Sequence, residues 1–203
     1  MTSRTRARGD RPTDKEARQH PHGDRLELEC GVCGFRGSTL GPGDAIVAIR
    51  SFPRRYRAGF GVISGDDFEG GDVNDVLTRR PQPDSWSALE LAGHVRDVFH
   101  AKEKRLRRVH LEHEPMIGEE QEIPPSGVDD QGPEAVLSAL QYNAEQLARV
   151  AEGISGKDWA RTGTRRDETV TALDLLREAV HEGSHRLRDL DRALRAARVT
   201  AAR

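Results

Sequence analysis

Two histidines four residues apart, His181 and His185, lie in a stretch whose apolar residues recur at helical spacing. On a helix, positions i and i+4 stand one above the other on the same face. One helix can therefore offer two imidazoles to a single metal ion. Asp189 follows at another step of four, extending the polar stripe, while Leu173, Leu176, Val180, Leu187 and Leu190 supply the neighbouring apolar face. A polar stripe beside an apolar one predicts a site dug into the core of a helical bundle.

Two imidazoles rarely hold a metal alone, and a catalytic site takes about three protein ligands with one position left open. His94 is the expected third ligand, because it falls inside an apolar-periodic run that includes Leu89, Ala92, Val95 and Phe99. His100, His110 and His113 sit in a basic stretch with Lys102, Lys104, Arg105, Arg107 and Arg108 and read as surface residues. Asp97 and Asp189 each lie about one turn from a candidate ligand and can hydrogen-bond its outer ring nitrogen, fixing the tautomer. Glu182 lies about 100° round the helix from His181. It is expected to be solvated, and is the candidate general base. His181-Glu182-Gly183-Ser184-His185 also satisfies the H-E-x-x-H pattern of zinc proteases. The extended form of that motif is absent, and no strand-rich segment offers a peptide-binding edge, so a protease is the less favoured reading.

Cys30 and Cys33 form a C-x-x-C knuckle of the kind that grips zinc with two thiolates. It reads as a possible separate structural zinc site, which His20 and His22 would have to complete, or as a metal-free pair. No βαβ pattern surrounds it to suggest redox catalysis. Two cysteines are too few for a disulfide framework.

Residues 1–25 have the polar, Arg- and Pro-rich composition of a disordered tail. Residues 26–40 hold the knuckle, and 41–197 read as an all-α four-helix bundle. The first helix starts near Gly41-Pro42-Gly43-Asp44, with Pro53 expected to kink it. After a loop over 65–84 with a short turn at Val73–Leu77, the second helix opens under a cap from Asp84 or Ser85 and runs to about His113. Residues 115–132 form a connection long enough for a crossover that lets the second and third helices run parallel. The third helix begins at Pro133 and ends at Gly153. A loop containing Trp159 follows, and the fourth helix starts at Thr169-Val170-Thr171. Trp86 and Trp159 sit at helix entries, where packing roles are expected.

Charged residues make up 33% of the 203-residue chain, hydrophobic ones 35%, and the formal net charge is −2. That balance gives no argument for nucleic acid or an anionic membrane as a partner. No stretch stays apolar over the ~18 residues of a membrane span. The Arg-rich start lacks the apolar core of a secretory signal, so a cytoplasmic location is expected.

The segments Trp86-Ser87-Ala88-Leu89-Glu90-Leu91-Ala92-Gly93-His94-Val95-Arg96-Asp97 and His181-Glu182-Gly183-Ser184-His185-Arg186-Leu187-Arg188-Asp189-Leu190 resemble the metal-ligand helices of the DinB/YfiT-like superfamily. The resemblance covers about residues 42–195. It implies a four-helix bundle with a long crossover between the second and third helices, and a divalent metal (zinc, nickel or iron) held by His94, His181 and His185. The cysteine knuckle lies outside the implied core. Members include thiol S-transferases that use bacillithiol or mycothiol, a maleylpyruvate isomerase and hydrolases. The resemblance therefore implies transfer of a low-molecular-weight thiol to a small electrophile, and family habit implies a homodimer. Two other readings stand beside S-transfer: a metal-dependent hydrolase, and a non-catalytic metal-binding or stress-linked interaction protein.

Overall fold

The computed structural model describes residues 29–61, 73–118 and 128–201. The tail over 1–25, with His20 and His22, lies outside the described residues. The elements in order are α1 (Pro42–Gly61), α2 (Val73–Thr78), α3 (Ala88–Leu111), α4 (Val128–Glu152), the hairpin β1 (Thr162–Arg165) and β2 (Glu168–Thr171), and α5 (Ala172–Ala201). Among the described residues, no helix is long and apolar enough to cross a membrane.

α1, α3, α4 and α5 form the bundle; α1 and α3 each pack against both α4 and α5. Named contacts fix the directions. Along α1 and α5 residue numbers rise together: Arg177 donates to the Leu40 carbonyl, Tyr56 to the Gly183 carbonyl, and Gly59 meets Leu190. α4 opposes α1, because Arg50 binds Glu145 and Glu152 while Arg57 binds Glu134. α3 opposes α5, because His94 meets Glu182 and Lys102 meets Glu178. α3 and α4 therefore run parallel.

The core is aromatic at its centre. Phe52 and Tyr56 of α1 and Phe99 of α3 are fully buried, and the Phe52 and Phe99 rings lie 5.8 Å apart across the bundle. Leu106, Leu140, Leu147 and Leu175 fill the remaining layers. Each such side chain contributes about 1.5–3 kcal/mol by leaving water.

Local chemistry explains where the elements begin. α3 is capped by Ser87, not by Asp84 or Ser85: its hydroxyl accepts from the Glu90 amide (3.2 Å), and the Glu90 carboxylate accepts from the Ser87 amide (2.8 Å). Ser85 instead closes a turn onto Gln82. α1 runs through Pro53 as a single helix. Gly132, at φ +72°, interrupts α4 just before Pro133, where the bundle part of that helix restarts. α5 starts at Ala172 rather than at Thr169. Thr171 caps it, its hydroxyl accepting from the Asp174 amide (3.0 Å) and its own amide donating to the Asp174 carboxylate (3.2 Å).

The segment expected as a loop around Trp159 holds a short 3-10 turn (Gly156–Ala160) and the two-stranded hairpin. Arg166 turns it at φ +53°. Gly163 of β1 has no room for a side chain: a Cβ there would come within 2.8 Å of Ile117 and 2.9 Å of Val109.

An ion-pair cluster ties the hairpin to the bundle. Glu178 of α5 accepts from Lys102, which is 2% exposed, and from both terminal nitrogens of Arg165 (3.1 and 3.0 Å). Burial alone would raise the Glu178 carboxyl, but the Lys102 and Arg165 charges outweigh it and hold it below its ordinary value. A lowered native pKa stabilises the fold above the unfolded value of about 4.3, and that stability is lost as pH falls through the native value. Glu178→Gln is expected to cost about 3–5 kcal/mol at pH 7. Urea unfolding at pH 7 and at pH 3 checks this: the gap between wild type and variant should shrink in acid.

Candidate metal centre

The knuckle is a tight turn built by backbone bonds. The Gly34 amide donates to the Cys30 carbonyl (2.7 Å), and the Cys30 amide donates to the Phe35 carbonyl (2.8 Å). Gly34 sits at φ +70°, a left-handed conformation that suits a residue without Cβ. The turn is docked on α5. Phe35 stacks on the His181 ring with centroids 5.0 Å apart, and Arg188 donates to the Val32 carbonyl.

This docking completes a four-residue set. One donor atom each from Cys30, Cys33, His181 and His185 lie within 4.8 Å of one another. Cys30 Sγ is 3.6 Å from His185 Nδ1, and the two imidazoles meet edge to face at 5.7 Å. The outer nitrogen of His185 lies 3.8 Å from the Asp189 carboxylate. Metal bonds of about 2.3 Å to sulfur and about 2.0 Å to nitrogen give a tetrahedron with edges of roughly 3.5 Å. The donors need only a small contraction to reach it. Burial, together with the neighbouring Cys30 thiol, pushes the Cys33 thiol up to about 11. A bound cation reverses that preference, because a coordinating thiol gives up its proton.

The set differs from three histidines. His94 is buried at 3% exposure, but its Nε2 lies 2.7 Å from the Glu182 carboxylate and its ring packs on Trp86 at 4.8 Å. It is not among the four gathered donors. The cysteines, expected as a separate site, instead meet the helical histidine pair. Glu182 is half-buried and paired rather than freely solvated: His94 and Arg186 (2.7 Å) both reach it. Burial would raise its carboxyl, yet these partners hold it well below the usual carboxylate range. Asp97 accepts from Arg96 Nε and Nη2 (2.8 and 2.9 Å). His100 and His113 are exposed, and His110 is half-buried.

The structure brings together two pairs that the sequence reading kept apart. Their arithmetic was a signal: two thiols and two imidazoles number the four donors that a Cys2His2 site needs. Phe35, which stacks on His181, and Tyr56, which bonds the Gly183 carbonyl between the histidines, carried no such signal.

The DinB superfamily model matches residues 73–190, more than half of the chain. The chain belongs to the DinB superfamily. Among solved structures, this DinB-superfamily chain resembles YfiT from Bacillus subtilis, described as a probable metal-dependent hydrolase with an unusual four-helix bundle topology. The two share 16% identity with a TM-score of 0.59, covering 74% of this chain and 86% of that one. At that identity the likeness is one of fold. Comparison with curated proteins gave no match.

Gly183, between the two histidines, lets α1 approach α5. A Cβ there would fall 2.7 Å from the Phe52 ring, while the Gly183 carbonyl accepts from Tyr56 (3.1 Å). Gly183→Ala is expected to destabilise the bundle by about 1–3 kcal/mol through overpacking. Adding Phe52→Leu should recover part of that loss, a coupling that denaturant titration of the four species measures.

Proposed function

We propose that this DinB-superfamily bundle binds zinc through Cys30, Cys33, His181 and His185. The observation that carries the reading is the convergence of these four donors within 4.8 Å of one another. Two soft thiolates with two imidazoles suit zinc better than the oxygen-seeking cations, and favour it over nickel or iron in a tetrahedral site. A set of four protein ligands closes the coordination sphere. The proposed role is therefore a metal-stapled binding protein, the non-catalytic reading, with zinc pinning the N-terminal knuckle to α5. When bound, the cation supplies positive charge that keeps both thiols deprotonated. A reducing cytoplasm would preserve those thiolates, and we place the protein there.

Thiol S-transfer and hydrolysis both require a coordination position open to water, thiol or electrophile. Hydrolysis is the second reading, favoured by the description of YfiT. It requires one cysteine to leave the set. His94 and Glu182 would then be the nearest acid–base pair, because they already share a 2.7 Å contact beside the histidine helix.

Elemental analysis of purified protein tests the ligand set. Wild type and His94→Ala should each carry about one zinc per chain, while Cys33→Ser and His185→Ala should lose most of it. Loss of zinc in His94→Ala with retention in Cys33→Ser would restore the three-histidine arrangement. Chelation of wild-type protein should lower Tm by about 5–10 °C, as expected for losing a ligand held at about a hundred times its Kd. A panel of thiols, electrophiles and esters should show no turnover above background. Turnover abolished by His181→Ala would favour an enzyme.

A further inference from the structure

The zinc reading above gives Cys30 and Cys33 a second property. They stand three residues apart in a turn closed by the Gly34-to-Cys30 backbone bond, and they are half-buried, so small solutes can reach both. Residues three apart in such a turn have Cα atoms within about 7 Å, the range a disulfide needs. Their partners His181 and His185 lie on another element and cannot follow them into a covalent bond. We propose that Cys30 and Cys33 form a hydroperoxide-sensitive modification site, at which disulfide formation ejects the metal and loosens the knuckle from α5. The inference rests on the zinc reading.

The chemistry balances with a hydroperoxide as the only oxidant. One thiolate attacks the O–O bond, takes one oxygen to become a sulfenic acid after protonation, and releases an alcohol or water. The second thiolate attacks the sulfenic sulfur, the S–S bond forms, and hydroxide leaves to be protonated to water. Two thiolates are oxidised by two electrons, one hydroperoxide is reduced, and two protons are consumed. With both sulfurs bonded to each other, His181 and His185 alone remain to hold the cation. Two imidazoles rarely hold a metal alone.

The consequence is local. The segment Glu29–Leu40 would keep the Phe35 stack on His181 and the bonds from Arg177 and Arg188, but it would lose the bonds through its cysteines. Arg36 is exposed within that segment and paired with Glu29 (2.6 Å), so it offers a trypsin site whose cleavage rate reports how tightly the knuckle is held.

The test uses full-length protein as purified, with its zinc content measured first. Hydrogen peroxide is added while a chromogenic chelator follows zinc and a thiol reagent counts free cysteines. The expected result is about one zinc released for every two thiols lost, with a mass loss of about 2 Da that maps to a Cys30–Cys33 disulfide. Trypsin cleavage after Arg36 should rise about tenfold. Dithiothreitol with added zinc should reverse all three. Zinc that stays bound while both thiols oxidise, thiols that survive excess peroxide, or oxidation to sulfinic acid without a disulfide would each overturn the switch while leaving the metal site intact. A preparation that never holds zinc defeats the metal reading itself, and with it the release. Cys33→Ser, which cannot form the bond, should show no 2 Da loss. The wild-type mass map decides the matter even where that variant fails to fold.

Discussion

Two thiols and two imidazoles brought within 4.8 Å set the terms for this molecule. Gathered beside a half-buried helix face, two thiols and two imidazoles form a donor set that a soft divalent cation can occupy by displacing the thiol protons. The donors come from segments about 150 residues apart in the chain. Whatever holds them together therefore also fixes the N-terminal knuckle to α5. The aromatic stack of Phe35 on His181 and the arginine bonds from α5 prepare that contact without completing it.

The bundle beneath is arranged so that α5 serves every neighbour. Gly183 admits Phe52 and Tyr56 of α1 between the histidines, Glu182 engages His94 of α3, and Glu178 gathers Lys102 and the hairpin's Arg165. One helix thus turns Glu178, Glu182 and Gly183 toward the hairpin, α3 and α1. Superfamily membership accounts for the bundle. The knuckle at Cys30–Cys33 lies outside the matched segment, and it changes what the histidine pair meets.

Much of this was legible in the sequence because it depends on periodicity. The apolar stripes of α1, α3, α4 and α5 marked the four long helices. The long connection after Pro115 implied the parallel course of α3 and α4, which the direction of the ion pairs supports. The hairpin was not legible: its four-residue strands hold one buried apolar residue, Val170, and β1 also bonds to the Pro115–Ile117 segment far upstream. The His181–His185 pair was visible from spacing. Its meeting with the cysteines was not, because helical periodicity says nothing about where a turn outside the bundle docks. His94 has a different partner in the structure, and the reason is physical. A buried histidine on an apolar face needs a polar partner, and a carboxylate satisfies it as well as a metal does. Glu182 of α5 supplies that partner.

X-ray absorption at the zinc edge of the purified protein tests the ligand set most directly. The account predicts two sulfur neighbours at about 2.3 Å and two nitrogen neighbours at about 2.0 Å. A shell of nitrogen and oxygen alone, with no sulfur, would contradict it and return the metal to the histidines of the bundle core.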